Sequence, residues 1–256
     1  MPKPRSAAAS SYKWRALPPM RFPRAAPVAL PLEDGRLLVV GRTGWNWDKR
    51  EGTTRRDDLP PEVLDASRSK WQLARALVKP DGTLVGVTGQ CWDTREQRWA
   101  SCPRVPDRPS IGSIQLPDGL ELVVGGKEYR PNEEFPTALD TVLFRPVRGR
   151  PCSRRLRIAR IRAALTPLPD GRVLVTGGYR VDVYFYNHDK DMPAEEAEII
   201  DPSQRTVTLA GRLAKPRDEH GIAVFPDGSI ILVGGRDDSS PSLAEAEIGQ
   251  PPRRKR

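Results

Sequence analysis

The dipeptide Asp-Gly occurs five times at intervals of 37 to 57 residues, and its surroundings repeat with it. Asp-Gly favours a tight hairpin turn because glycine adopts a positive φ without strain. A short apolar stretch follows each copy, and one or two glycines stand seven and eight residues after the aspartate. The pattern predicts five β-hairpins. Their turns lie at Asp34-Gly35, Asp81-Gly82, Asp118-Gly119, Asp170-Gly171 and Asp227-Gly228.

Two further features recur with the turns. An arginine stands ten residues before four of the five aspartates, and Trp71 takes that place in the second repeat. Later in the unit, five residues separate a hydrophobe-Asp step from a second large residue, as between Trp92-Asp93 and Trp99. We interpret this half of the unit as a third strand, a turn and a fourth strand. The other copies of the step are Trp47-Asp48, Ile200-Asp201 and a degraded one at Phe144-Arg145.

The complete unit resembles the kelch repeat of the galactose-oxidase/kelch-like family, whose repeats are the blades of a β-propeller. The resemblance covers residues 12–248. It implies an all-β fold, a single propeller of four-stranded antiparallel blades. Five repeats predict five blades, fewer than most kelch propellers have, and the long stretch 42–70 leaves room for a degenerate sixth blade.

The chain ends predict how the ring closes. The last repeat stops after its third strand, whereas residues 12–20 read as a fourth strand without the first three. We therefore expect the N-terminal strand to complete the last blade. Residues 1–11 are then a flexible segment and residues 249–256 a basic tail.

Composition narrows the class of protein. Apolar residues make up 38% of the chain, which suffices for a core, and the net charge of +9 favours anionic partners. No apolar run is long enough to span a membrane, so we expect no membrane insertion. Three cysteines without a C-x-x-C pair favour an intracellular, reducing compartment, the cytoplasm first and an organelle second.

Long segments follow the glycines of the third, fourth and fifth repeats, and long loops on a rigid scaffold often hold binding residues. The fourth-repeat segment is rich in aromatic residues, which contribute strongly to interfaces. It reads either as a partner-binding protrusion or as a hairpin that packs on its own blade. The candidate partner-binding residues are Tyr129, Phe135, Tyr179, Tyr184, Phe185, Tyr186 and His188.

Residues 141–169 hold eight arginines and no acidic residue. Charge on an outer strand discourages pairing with other sheets, which is one reading of this run. The other is a surface for RNA, DNA or an acidic protein. The candidate anion-binding residues are Arg148, Arg150, Arg154, Arg155, Arg157 and Arg162.

The arginines before the turns recur with the repeat, so we interpret them as structural. They would bond carbonyls of neighbouring blades or the carboxylate of the hydrophobe-Asp step; a ring of positive charge around a central channel is the alternative. His220 also stands where the kelch pattern has a structural histidine. The junction residues are Arg24, Arg108, Arg160, Arg217 and His220.

Kelch propellers include copper oxidases and sugar epimerases, so the resemblance raises the question of catalysis. Copper requires several nitrogen donors, and the chain has two histidines. Residues 187–198 open like a calcium loop, with Glu198 at the twelfth position, but Met192 stands where the turn requires glycine. We therefore predict no cofactor, no metal and no catalytic residue.

The sequence thus predicts a non-catalytic scaffold subunit that binds a protein partner in a larger assembly through the long loops of repeats three to five. The alternative is a basic subunit of a nucleoprotein complex that contacts phosphates through Arg145–Arg162. A third hypothesis is a carbohydrate-active enzyme.

Overall fold

The computed structural model describes residues 11–42, 46–48, 53–55, 59–74, 77–78, 84–85, 90–93, 98–101, 112–128, 137–180 and 192–252. The regular elements in these ranges are all β-strands. The described residues contain no helix that is long and apolar enough to cross a membrane. In chain order the strands are β1 (Lys13–Leu17), β2 (Ala25–Pro31), β3 (Leu37–Arg42), β4 (Asn46–Asp48), β5 (Thr53–Arg55), β6 (Glu62–Leu64), β7 (Trp71–Leu73), β8 (Leu77–Val78), β9 (Leu84–Val85), β10 (Gln90–Asp93), β11 (Arg98–Ser101), β12 (Gly112–Gln115), β13 (Glu121–Val124), β14 (Lys127–Glu128), β15 (Thr137–Ala138), β16 (Thr141–Arg145), β17 (Cys152–Arg155), β18 (Ala164–Pro167), β19 (Val173–Thr176), β20 (Tyr179–Arg180), β21 (Met192–Pro193), β22 (Glu196–Asp201), β23 (Thr206–Arg212), β24 (Gly221–Val224), β25 (Ile230–Val233) and β26 (Ala246–Gln250).

Four sheets of four antiparallel strands form, one in each of repeats 1, 3, 4 and 5, and we name each sheet after its repeat. The prediction of an all-β chain with four-stranded antiparallel sheets is confirmed. The strand orders are β2-β3-β6-β7 in the repeat-1 sheet, β12-β13-β16-β17 in the repeat-3 sheet, β18-β19-β22-β23 in the repeat-4 sheet and β24-β25-β26-β1 in the repeat-5 sheet.

Short two-stranded ladders accompany these sheets. The pairs β8-β9 and β10-β11 belong to the second repeat, whose remaining residues lie outside the described ranges. The pairs β14-β15 and β20-β21 flank residues 129–136 and 181–191, so the long loops of repeats 3 and 4 leave their sheets as paired strands. The pair β4-β5 lies between β3 and β6 and occupies part of the stretch considered for a sixth blade.

The third strand of the repeat-1 sheet differs from the prediction. Trp47-Asp48 is in the hairpin β4-β5, and the third strand is β6, which ends at Leu64. Leu64-Asp65 is itself a hydrophobe-Asp step, and five residues separate it from Trp71, the first residue of the fourth strand. Trp71 therefore belongs to the first repeat and not to the second, where the sequence pattern places it.

The Asp-Gly turns join the first and second strands of all four sheets. The glycines adopt φ between 80° and 83°, which other residues rarely accept. Each aspartate accepts a hydrogen bond from the backbone N–H two residues later, for example 2.9 Å from Ser229 to Asp227 and 3.0 Å from Leu120 to Asp118. This side-chain bond fixes the turn locally.

The N-terminal strand completes the repeat-5 sheet, since β1 pairs with β26 from Lys13↔Gln250 to Leu17↔Ala246. The backbone N–H of Tyr12 donates to Ala210 of the repeat-4 sheet over 2.8 Å, so this segment also joins two sheets. Trp14 packs against Gly249, where an added Cβ would lie 2.9 Å from its ring.

The apolar core lies between sheets. One cluster joins the repeat-1 and repeat-5 sheets through residues such as Val39 and Ile231. A second joins the repeat-3 and repeat-4 sheets, and a third joins the repeat-4 and repeat-5 sheets together with Tyr12. Each sheet is thus stabilised mainly by burying a face against its neighbours.

A buried arginine-glutamate pair recurs in three sheets. Arg160 donates to Glu198 over 2.7 Å, and both side chains are fully buried. The arginine also donates to the carbonyls of Gly177 and Glu196 in the same sheet, while the backbone N–H of Arg157 donates to Glu198. The corresponding pairs are Arg24–Glu62 at 3.2 Å and Arg217–Glu247 at 2.9 Å.

These pairs differ in two respects from the expectation for the junction arginines. The carbonyls belong to the arginine's own sheet, and the carboxylate is a glutamate at the start of the third strand instead of the aspartate at its end. In the repeat-3 sheet the corresponding position, opposite Val123, is Leu143. Arg108 of that repeat lies outside the described residues.

Removal of β1 tests the role of the N-terminal strand. Deletion of residues 1–17 strips an edge from the repeat-5 sheet and exposes its core, so the unfolding temperature should fall by about 10 °C or more. Deletion of residues 1–10, which leaves β1 whole, is the control. Equal melting curves for the two truncations, measured by circular dichroism, would contradict the assigned role.

Substitution of Arg160 tests the buried pair. Arg160→Met leaves the Glu198 carboxylate buried without its cation, so the free energy of unfolding in urea should fall by about 3–5 kcal/mol. Arg160→Met with Glu198→Met removes both charges and should recover much of that loss. A double variant as unstable as the single one would show that the charges are not the dominant interaction.

Candidate active site

Of the seven predicted partner-binding residues, Tyr179 lies in the described part of the chain. Tyr179 is buried, with 7% of its surface exposed, because its ring packs among charged side chains where β19 ends. This corrects the expectation that Tyr179 offers its ring to a partner. The other six, Tyr129, Phe135, Tyr184, Phe185, Tyr186 and His188, lie outside the described residues.

The predicted anion-binding residues divide into two groups. Arg162 is ion-paired with Glu219, and its side chain is 26% exposed. It therefore belongs to the charged surroundings of Tyr179 and differs from the expectation of a free surface cation. The other five are exposed on or beside β17, the outer strand of the repeat-3 sheet: Arg148, Arg150, Arg154, Arg155 and Arg157.

Glu198, the twelfth residue of the calcium-loop spacing, has a structural role in the sheet. Glu198 is fully buried and bound to Arg160, so its carboxylate is already occupied. Burial raises the pKa of Glu198, and Arg160 opposes that shift. Asn187, Asp189 and Asp191 lie outside the described residues. Among those described, no three side chains that could ligate a metal lie together.

The strand ends of repeats 4 and 5 bring a polar cluster together, which we call the Tyr179 cluster: Arg162, Tyr179, Asp218, Glu219 and Arg236. Tyr179 and Arg236 directly follow the Gly-Gly pairs of their repeats. Each exchanges two backbone hydrogen bonds with the residue after the junction arginine, Tyr179 with Ile161 and Arg236 with Asp218. The same backbone geometry therefore positions both halves of the cluster.

Charges alternate within the Tyr179 cluster. Arg162 donates to the Glu219 carboxylate and lies 3.9 Å from that of Asp218. Arg236 lies 3.6 Å from each of the two carboxylates. Both guanidinium groups also face the Tyr179 ring, at 5.1 Å for Arg236 and 6.0 Å for Arg162.

One part of the cluster is buried and the other part is open to solvent. Asp218 is fully buried and Tyr179 nearly so, whereas the side chains of Glu219, Arg162 and Arg236 are 19%, 26% and 32% exposed. Solvent and a ligand therefore reach the glutamate and the two arginines first.

The Tyr179 phenol is held in its protonated form. Burial raises its pKa above the ordinary value near 10, and the Asp218 carboxylate raises it further by its charge and a hydrogen bond. Arg236 opposes these effects without cancelling them. Tyr179 is thus a hydrogen-bond donor throughout the neutral pH range.

Arg162 and Glu219 share an unusual backbone conformation, with φ of 59° and 52°. Non-glycine residues rarely adopt this left-handed conformation. Ala26, the corresponding residue two positions after Arg24, has φ of 45°. The conformation therefore belongs to the repeat, and only in repeats 4 and 5, among those described, does it present an ion-paired side chain.

His220 lies beneath the cluster and is 2% exposed. Its Nε2 is 2.9 Å from the Thr176 hydroxyl, and its ring packs against Gly177, where an added Cβ would lie 2.7 Å from it. His220 thus packs between the repeat-4 and repeat-5 sheets.

Sequence reasoning missed Asp218, Glu219 and Arg236 as functional candidates. A signal was available, because these residues occupy the positions directly after the repeated arginine and the repeated glycines. The first repeat has Ala25 and Ala26 after its arginine, so charged residues at these positions are not required by the repeat.

No protein-family model matches the chain, and no curated protein matches it. Among solved structures, the chain is similar to a novel fungal alcohol oxidase with catalytic diversity among the AA5 family, in complex with copper. The alignment covers 95% of this chain and 77% of the oxidase chain. The TM-score is 0.50 and the sequence identity is 15%. A likeness at this identity concerns the fold.

The likeness corrects two expectations from the sequence. The repeat pattern predicts a non-catalytic scaffold and not an enzyme, yet the backbone is similar to that of an enzyme. Those expectations rest on the lack of a recognisable catalytic motif, and the Tyr179 cluster is not visible in the sequence as such a motif.

The buried phenol gives a prediction for alkaline pH. Because its pKa is raised on folding, the unfolded chain loses this proton first, and stability should fall as the pH rises through the ordinary tyrosine range. Tyr179→Phe should make the decline shallower between about pH 9 and 11. Urea unfolding across this range measures it; identical slopes for wild type and variant would contradict the burial of an ionisable phenol.

Proposed function

We propose that the chain is a kelch-like β-propeller of five blades, closed by the N-terminal strand. Five sequence repeats, four of them forming four-stranded sheets, support this arrangement. Contacts between consecutive sheets also support it, and so does the packing of the repeat-5 sheet against the repeat-1 sheet, where Gly221 contacts Pro27. The ring order would then be that of the sequence.

We propose that this propeller is an enzyme that acts on a hydroxyl group of a carbohydrate or related polyol, at the Tyr179 cluster. The observation that carries the proposal is the buried, protonated phenol beside two arginines and two carboxylates at adjoining strand ends. The likeness in fold to an alcohol oxidase supports it.

The described residues supply acid–base chemistry at an oxygen atom. Glu219 is the carboxylate that a ligand reaches, so we assign to it the removal of a proton from a substrate hydroxyl. Tyr179 donates its one hydrogen bond to Asp218 and so holds that buried carboxylate in place. Arg162 and Arg236 stabilise negative charge that develops on the substrate oxygen, because their guanidinium groups are fixed beforehand by the carboxylates.

Copper, which the neighbouring structure contains, does not fit the described residues. The chain has two histidines, His220 is buried against Thr176, and the described residues hold no group of three side chains that could ligate a metal. His188 lies outside them. We therefore assign no step to copper.

Turnover of a carbohydrate panel tests the proposed function. The full chain should convert at least one mono- or oligosaccharide, followed by proton NMR of the mixture, and Glu219→Gln should lower kcat/KM by about 10²–10⁴-fold. Glu195→Gln changes an exposed carboxylate that lies directly before the third strand of the repeat-4 sheet and is paired with Arg212; it is the matched control and should retain the rate.

Two results would contradict the proposal. One is the absence of turnover on any member of the panel by folded protein. The other is a Glu219→Gln variant that is as fast as the Glu195→Gln control.

A further inference from the structure

The exposed arginines of repeat 3 lie in a band along the outer edge of their sheet, which we call the arginine edge: Arg148, Arg150, Arg154, Arg155 and Arg157. β17 runs antiparallel to β16, from Cys152 opposite Phe144 to Arg155 opposite Thr141. The band therefore begins beside the Asp-Gly turn of its sheet and follows the outer strand to the opposite end, where the long loops lie.

The arginine edge leads toward the Tyr179 cluster. After Arg155 the chain turns inward, fixed by the 2.7 Å hydrogen bond from the Arg157 backbone to Glu198. It then passes the buried Arg160 and reaches Arg162, a member of the cluster. One uninterrupted segment thus joins the exposed band to the candidate active site.

Little of the charge on the arginine edge is neutralised. Arg155 lies 3.4 Å from Asp140 and remains 84% exposed. Arg154 donates to the carbonyl oxygens of Arg205 and Ser153 instead of to an acid. Among the described residues, Arg148, Arg150 and Arg157 have no ion pair. Exposed guanidinium groups of this kind bind carboxylate or sulfate oxygens in a bidentate manner.

The composition of the band disfavours a single-stranded nucleic acid as its ligand, and the carbohydrate site proposed at the Tyr179 cluster favours a carbohydrate. Proteins that bind single strands stack bases on exposed aromatic rings. Between residues 141 and 169 the single aromatic residue is Phe144, and it is fully buried. An acidic polysaccharide requires no stacking surface, because its repeated carboxylates can bind the guanidinium groups alone.

We propose that the arginine edge is a remote binding surface for an acidic polysaccharide, a polymer of uronate residues, and that it guides this chain toward the Tyr179 cluster. The inference rests on the proposed function, since it names the substrate class of that site. The protein would hold a long substrate at two places, and short neutral sugars would miss the outer one.

Binding of polygalacturonate tests the inference. The full chain should bind this polymer in a mobility-shift assay and should not bind neutral dextran of similar length. The triple variant Arg148→Glu, Arg150→Glu, Arg157→Glu should bind about tenfold or more weakly, because three exposed ion pairs are lost. The triple variant Lys13→Glu, Arg15→Glu, Arg21→Glu changes the net charge equally at exposed positions elsewhere and is the control.

The outcomes separate the inference from the proposed function. Polygalacturonate binding that survives in Glu219→Gln, while turnover is lost, supports both. Turnover of neutral sugars without binding of polygalacturonate overturns the inference alone. Equal weakening of polygalacturonate binding by the two triple variants overturns the inference, since net charge would then explain binding.

DNA binding as tight as polygalacturonate binding, with the same sensitivity to the edge variant, overturns the inference in favour of a nucleic-acid surface. Aggregation of the edge variant, with binding unchanged, overturns it in favour of edge protection.

Discussion

The buried arginine-glutamate pair is the interaction that fixes the strands of the repeat-1, repeat-4 and repeat-5 sheets relative to the segment that precedes each of them. Each pair joins the segment before the first strand to the third strand and to carbonyls at the end of the second strand, as Arg217 does with Glu247 and Gly234. A buried ion pair contributes little net stability, but loss of one partner is costly. The pair therefore fixes the backbone around it. As a result, the residues directly after the arginine and directly after the glycines also have fixed positions.

Members of the Tyr179 cluster occupy these fixed positions. In the first repeat, Ala25 and Ala26 occupy the places that Asp218 and Glu219 take in the fifth. The left-handed conformation at the second place is common to both, so the backbone does not depend on the charges. The proposed site consists of side chains added to a repeated backbone, and the burial of Tyr179 follows from its contact with the adjoining repeat.

The sequence predicted the four-stranded units and their hairpin turns because Asp-Gly specifies a turn through local chemistry. It misplaced the third strand of the first repeat, because Trp47-Asp48 and Leu64-Asp65 both match the hydrophobe-Asp step and only the second lies in the third strand. It could not identify the glutamate partners, since pairing across strands is a property of register. The Tyr179 cluster was missed because its members are distant in sequence, and the small number of histidines argued only against copper.

The most direct test of this account transfers the first repeat's residues into the fifth. The variant Asp218→Ala, Glu219→Ala reproduces Ala25-Ala26 on the same backbone. Its free energy of unfolding and its carbohydrate turnover should be measured together. The account predicts a change in stability within about 2 kcal/mol and complete loss of turnover. Retained turnover in a folded variant would contradict the assignment of the site, and collapse of the fold would show that these two residues are part of the frame.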